Sequence, residues 1–258
     1  MSRIAVALLA LILAVPSLAQ ETPAEPPKAP SDQPAPKPSR PGIGVALEGG
    51  GALGLAHIGV LRWFEEHHIP IDYIAGTSMG GLVAGLYATG TSPQQLQDFV
   101  RNQDWDAIIV GQTPYPDLPY RRKEDMRAFQ NSLTFGAKHG LSLPPGLSTG
   151  QEVSMLIDRE TLSYSDLASF DDLPIPFRCV ATDLVSAKEV VFSAGSLQKA
   201  LRATMSIPAV FSPVQDGEDL YVDGGLLGNL PTNVVRKMGA DVVIAIHLDT
   251  APLDPKKI

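Results

Sequence analysis

Short unbroken apolar runs alternate along the chain with stretches in which apolar residues return every three or four positions. Ile43-Gly44-Val45-Ala46-Leu47 shows no polar alternation, the pattern of a strand buried on both faces of a parallel sheet. After a glycine loop, Leu55, Ile58, Leu61 and Phe64 recur at helical spacing while Arg62, Glu65 and Glu66 face outward, and Pro70 marks the end of the predicted helix. Ile71 to Ala75 then reads as a second strand, which completes a βαβ unit and leads into a helix from Gly80 to about Ala88.

Further along, the same reasoning predicts helices over Pro93 to Arg101, Gly150 to Leu162, Ser196 to Met205 and Thr232 to Met238. Strands are predicted at Phe177 to Thr182, Glu189 to Phe192 and Leu220 to Val222, with a last central strand at Val242 to Ile246. Gly111 to Arg122 is a loop containing Pro and Tyr, of the kind that shapes a site entrance. No repeat or low-complexity tract follows Pro41, so residues 42–258 read as one α/β domain.

The N-terminal pattern differs. Ser2-Arg3 supplies a small positive region, Ile4 to Val15 an apolar one, and Ser17-Leu18-Ala19 the small residues that a signal peptidase needs. Residues 1–19 are therefore expected to be a secretory signal cleaved before Gln20, the apolar run being well short of the ~20 residues of a membrane span. Residues 20–41 are Pro-, Ala-, Glu-, Lys- and Ser-rich and read as a semi-extended linker that cannot repay the entropy of folding. The expected location is the periplasm, the outer membrane or the exterior.

Composition narrows the function classes. With 44% apolar and 6% aromatic residues the 258-residue chain can bury one sizeable core, and a net charge of −8 without an extended basic cluster argues against a nucleic-acid partner. The single cysteine, Cys179, lies in an apolar run and is expected to be an inert core residue.

The chemistry concentrates at two turns. Gly76-Thr77-Ser78-Met79-Gly80 follows a predicted strand and precedes a predicted helix, the context of a nucleophile elbow. Gly76 and Gly80 flank the serine because a Cβ at either position would collide with strand or helix, and the helix N-terminus favours anionic charge at Ser78. The loop Gly49-Gly50-Gly51-Ala52-Leu53-Gly54 offers several backbone N–H groups to an anion. It also satisfies the G-x-G-x-x-G letters of a dinucleotide site, yet the acid expected at the end of the second strand is missing, since Asp72 lies at that strand's beginning.

Two bases for Ser78 are open. His247 follows a strand and preserves the order Ser, Asp, His of the α/β-hydrolases, although those enzymes build several strands before the elbow and this chain builds only one before the elbow's own. Asp223, in Val222-Asp223-Gly224-Gly225 at a strand end, can serve if it is partly desolvated and the oxyanion is strongly held. His57, His67, His68 and His139 have local roles in a helix or a turn.

In three ordered motifs, Gly49 to Gly54, Gly76 to Gly81 and Asp223-Gly224-Gly225, the chain resembles the bacterial patatin-like phospholipases. Leu173 to Arg178, Ala181-Thr182-Asp183, Ala200 to Pro208 and Asn229-Leu230-Pro231 look like stretches of the same family, so the resemblance covers about Gly42 to Asp249. It implies a three-layer α/β/α fold with a central, mostly parallel sheet. It also implies Ser78 as nucleophile, Asp223 as its base without histidine, and Gly49, Gly50 and Gly51 as the oxyanion hole. Gly224 supports the motif. Lipid acyl esters such as phospholipids or lysophospholipids at a membrane surface are the implied substrates, with no metal and no cofactor. Many members carry Arg or Lys where this chain has Leu53, and Asn where it has Gly228. Exported members often continue into a membrane-embedded β-barrel, which makes a longer natural chain an expectation. A lipid-binding or export module with little catalysis is the alternative from another class.

Overall fold

A computed structural model describes residues 40–105, 108, 120–121, 123–124 and 146–249. The leader, all but the end of the linker, His139 and all of the Gly111 to Arg122 loop except Tyr120 and Arg121 lie outside them. The βαβ start is present: β1 (Ile43–Leu47), a 3-10 turn (Gly51–Leu55), α1 (Ala56–Glu66) and β2 (Tyr73–Thr77). Then come α2 (Met79–Ala88) and α3 (Pro93–Arg101). Ile58, Leu61 and Phe64 of α1 are buried, as their spacing requires. A capping box fixes the start of α3, Ser92 accepting from the Gln95 N–H while Gln95 accepts from the Ser92 N–H, with Pro93 in the first turn.

The second half contains β3 (Gly146–Ser148), α4 (Gln151–Thr161), β4 (Phe177–Asp183), β5 (Lys188–Phe192) and α5 (Leu197–Thr204). It continues with β6 (Ala209–Phe211), β7 (Val214–Asp216), β8 (Asp219–Asp223), α6 (Thr232–Lys237) and β9 (Val242–Ile246). The main sheet has seven strands in the order β7-β8-β4-β2-β1-β9, with β5 also on β4. β9, β1, β2 and β4 run parallel, whereas β5 and β8 are antiparallel to β4, and β7 to β8. The sheet is thus mixed, its parallel part holding the elbow. β3 and β6, too short to show a period, form a separate parallel pair.

Alternate residues of β1 and β2 serve two layers. Val45, Leu47 and Ile74 join the larger core with α1, α2, α4 and α5, while Ala46, Tyr73 and Ala75 pack on the other face with Val234 and Val235 of α6. α2 is buried along its whole length, so it serves as an interior support for the residue at its start.

The register on β4 decides where the functional turns meet. β2 occupies one edge of β4 with Thr77 opposite Val180, and β5 overlaps it in register from Cys179 onward, so β5 takes the other edge. β8 overlaps β5 as well and is therefore on the edge that β2 uses, antiparallel, with Asp223 opposite Ala181. Two strand ends, Thr77 and Asp223, meet head-on at consecutive positions of β4. Among the described residues no helix is long and apolar enough to cross a membrane.

Candidate active site

Ser78 is where β2 stops and α2 begins, at φ 56° and ψ −128°, a region that non-glycine residues rarely occupy and that costs about 1–3 kcal/mol. Surrounding contacts hold it there. The Ser78 N–H donates to Thr204 Oγ1 at 2.8 Å, and that hydroxyl donates in turn to the Val180 carbonyl. A Cβ on Gly76 would overlap the Gly80 carbonyl and come within 2.6 Å of the Gly81 nitrogen. A Cβ on Gly80 would be 2.5 Å from the carbonyl oxygens of both Leu47 and Glu48. The close approach of strand, helix and glycine loop thus excludes side chains at both positions.

Asp223 ends β8 and is 6% exposed. Its N–H donates to the Ser206 carbonyl at 2.9 Å, and its carboxylate accepts the Gly225 N–H at 2.7 Å. Burial pushes the carboxyl above the usual carboxylate range, partly opposed by hydrogen bonding from the Ser78 side chain and the Gly225 amide. Gly224 lets the two strand ends abut, because a Cβ there would overlap the Val180 carbonyl and lie 3.0 Å from Thr77 Cγ2.

The glycine loop lies against the serine, with a Cβ on Gly49 reaching 2.9 Å from Ser78 Cβ. Its three predicted donors are not equivalent. The Gly49 N–H donates to the Asn229 carbonyl at 3.1 Å and is spent, whereas the Gly50 and Gly51 amides donate to no group among the described residues. Gly49 therefore spaces the loop from the serine, and Gly51, at φ 54°, turns the chain into the 3-10 segment. Gly228, where the family often has Asn, accepts the Thr77 hydroxyl at 2.7 Å, and any Cβ on it would overlap the Glu189 carboxylate.

Three of the described histidines, His57, His67 and His247, are engaged elsewhere. His247 Nδ1 pairs with Glu48 Oε2 at 2.6 Å. His57 is fully buried, donates from Nε2 to the Glu48 carbonyl at 2.8 Å, and is held neutral because burial pushes its pKa down. His67 bonds the Trp63 carbonyl at 2.9 Å, and none of the described histidines hydrogen-bonds Ser78 or Asp223. Asp72 is remote from the glycine loop: it accepts the Ile43 N–H at 2.7 Å and pairs with Arg40 at the opposite end of β1. Cys179 is buried, which pushes its thiol pKa up. Among the described residues no three His, Cys, Asp or Glu side chains cluster to hold a metal ion.

Beside Ser78 opens a cavity of about 350 Å³, walled by Leu55, Leu82, Val153, Ile157, Met205 and Phe211, with Gly51 also on its wall. Among the described residues Ser78 is the one hydroxyl in this lining. The chemistry available is attack by a serine on a substrate whose apolar part fills the cavity.

Sequence reasoning assigned no role to Thr204, Glu48 or Asn229, which hold the site's backbone. Two of them lie inside stretches that carry the family likeness, yet only their distant partners reveal what they do.

A mixed α/β sheet whose parallel part ends in a strained serine at the start of a buried helix, with a buried carboxylate beside it, defines a nucleophile-elbow protein of the α/β class. Within that class the chain belongs to the patatin-like phospholipase family, whose profile matches residues 45–236. It is 31% identical over 214 residues to the lysophospholipase NTE1 of Mycosarcoma maydis, covering 81% of this chain and 10% of that protein. Patatin-like phospholipase domain-containing protein 7 of Rattus norvegicus is 32% identical over 209 residues, covering 80% of this chain and 13% of that one. An uncharacterised NTE family protein of Mycobacterium tuberculosis is 31% identical over 219 residues, 85% of this chain and 52% of that protein. The chain thus spans between 10% and 52% of the length of these relatives.

Proposed function

We propose that this protein is a serine acyl-hydrolase that cleaves an acyl ester of a phospholipid or lysophospholipid through Ser78 and Asp223. The observation that carries the reading is the position of Ser78, strained, beside a buried carboxylate and on the wall of an apolar cavity. In the first step the Ser78 hydroxyl loses its proton to Asp223 and Oγ attacks the ester carbonyl carbon. The free amides of Gly50 and Gly51 and the N-terminus of α2 stabilise the oxyanion. Collapse breaks the C–O bond to the alcohol, which takes the proton from Asp223 and leaves an acyl-serine. Water then gives its proton to the same carboxylate as it attacks, and the fatty acid departs as the proton returns to Ser78.

Leu53, Leu226 and Leu227, each more than half exposed on the loops that carry Gly51 and Asp223, support a lipid surface as the working environment. The test pairs a fluorophosphonate probe with fatty-acid release from phospholipid and lysophospholipid vesicles. Covalent labelling confined to Ser78 together with release supports the hydrolase. Vesicle binding with neither labelling nor release would transfer the case to the lipid-binding module.

The cavity makes its own prediction. Val210 is half-buried in its wall. Val210→Phe should lower kcat/KM for long-chain esters about tenfold relative to butyryl esters, since a methylene or two in an apolar pocket is worth that much. An unchanged chain-length profile would place the acyl chain elsewhere.

Export is proposed on the strength of residues 1–19 alone. Expressed from its own start in a bacterium, the protein should be recovered outside the cytoplasm with Gln20 as its first residue, as read by N-terminal mass spectrometry.

A further inference from the structure

Between the glycine loop and the Asp223 turn lies a side chain that the mechanism above does not use. The Asn229 amide nitrogen donates to Glu48 Oε1 at 3.1 Å and to the Gly49 carbonyl at 3.0 Å, while the Asn229 carbonyl accepts the Gly49 N–H at 3.1 Å. Its other end faces both turns, because a Cβ on Gly49 would be 2.5 Å, and one on Gly225 3.0 Å, from Asn229 Oδ1. The amide cannot be reversed without loss, since a carboxylate and a carbonyl both require the NH2 end. Glu48 is anchored in turn, its other oxygen accepting the Leu248 N–H at 2.7 Å and pairing with His247.

These bonds fix a direction. The peptide bonds are trans and planar, so the Gly49 carbonyl and the Gly50 N–H point opposite ways. Holding the carbonyl on Asn229 turns the Gly50 N–H away from Asn229, and no described protein group accepts it. A glycine-rich loop has no side chains of its own to resist rotation of that peptide, which makes an external clamp necessary.

We propose that Asn229 is a positioning residue for the oxyanion: through Glu48 and both sides of Gly49 it aims the Gly50 amide at the oxygen that becomes negative during acyl transfer. The inference rests on the hydrolase reading. It assigns Glu48 to the support of the donor loop.

The test uses the full chain with Asn229→Leu, similar in size but without donors, and Asn229→Ala as a second variant in case the first folds poorly. An oxyanion donor is worth about 100- to 1000-fold in kcat, and a donor present but badly aimed should cost about 10- to 100-fold. The expected result is that loss in kcat with KM within about twofold for a short soluble ester and an equal loss in the rate of phosphonylation of Ser78, whose transition state also builds an anionic oxygen. The acid limb of the pH profile should stay where it is, because Asp223 keeps Ser78 and Gly225. Unchanged kcat in a folded variant, or a fall in kcat with a displaced acid limb, would overturn the clamp. Phosphonylation of the unsubstituted protein separates the two readings: if Ser78 does not react there, the hydrolase reading itself falls, and if it does, the Asn229 variants decide the clamp alone.

Discussion

Ser78→Ala should eliminate fluorophosphonate labelling and lower ester hydrolysis by about 10⁴-fold or more, the loss expected when a nucleophile that acts as a unit with its base is removed. Asp223→Asn should keep the geometry and lose about 10³- to 10⁴-fold, because an amide accepts the Gly225 N–H but cannot take the serine proton. His247→Ala should retain most activity, since His247 pairs with Glu48 and reaches neither reacting group. A folded His247→Ala protein as inactive as Ser78→Ala would favour a Ser-Asp-His triad.

The two carboxylate states also have opposite effects on activity and stability. Burial raises the Asp223 pKa, so the folded protein binds that proton more tightly than the unfolded chain does. From the linkage relation, Asp223 lowers stability as pH rises from the unfolded value through the raised folded one. Activity moves the other way, because the base works only once deprotonated. Asp223→Asn should therefore show its full loss of about 10³- to 10⁴-fold in hydrolysis above that window without lowering the thermal midpoint, and it should flatten this part of the stability profile. A midpoint that fell with the substitution would mean that Asp223 holds the fold together rather than serving as a base.

Gly76→Ala should destabilise the protein by about 3 kcal/mol or more, because the new methyl meets backbone atoms of Gly80 and Gly81 that cannot rotate aside. For a domain of this size that corresponds to a fall in Tm of about 10 °C. Gly224→Ala, whose methyl would meet the Val180 carbonyl, should behave alike. Gly59→Ala is the control: it is exposed in α1 with nothing within 4 Å of a new Cβ, so it should gain about 0.5–1 kcal/mol from helix propensity. Thermal melts of the three variants side by side decide the matter, and a Gly76→Ala protein as stable as the control would remove the steric account of the elbow.

The sequence made the βαβ opening, α3 and β9 legible, because unbroken apolar runs, a three-residue stripe and a Ser-Pro start are local signals. β3, β6 and β7 span three residues each and show no period. The antiparallel part of the sheet was hidden for another reason: β8 reads as a strand, but nothing in Leu220-Tyr221-Val222 says which way it faces β4. The site followed the same division. Ser78, Gly76, Gly80 and Asp223 could be named from motifs, whereas the spent Gly49 amide depends on Asn229, far along the chain. Thr204 ends a helix whose pattern explains its burial and not its bond to the serine backbone.

The meeting of β2 and β8 on one edge of β4 also sets the order in which chemistry becomes available. Ser78 and Asp223 acquire each other only after both strands have docked on the same neighbour, and the β2 pairing closes a long loop, among the slower events in folding. A chain in which either strand is undocked carries the two groups apart. Completion of the sheet and assembly of the Ser78–Asp223 pair are thus one event, so the pair reports on whether the two strands have docked.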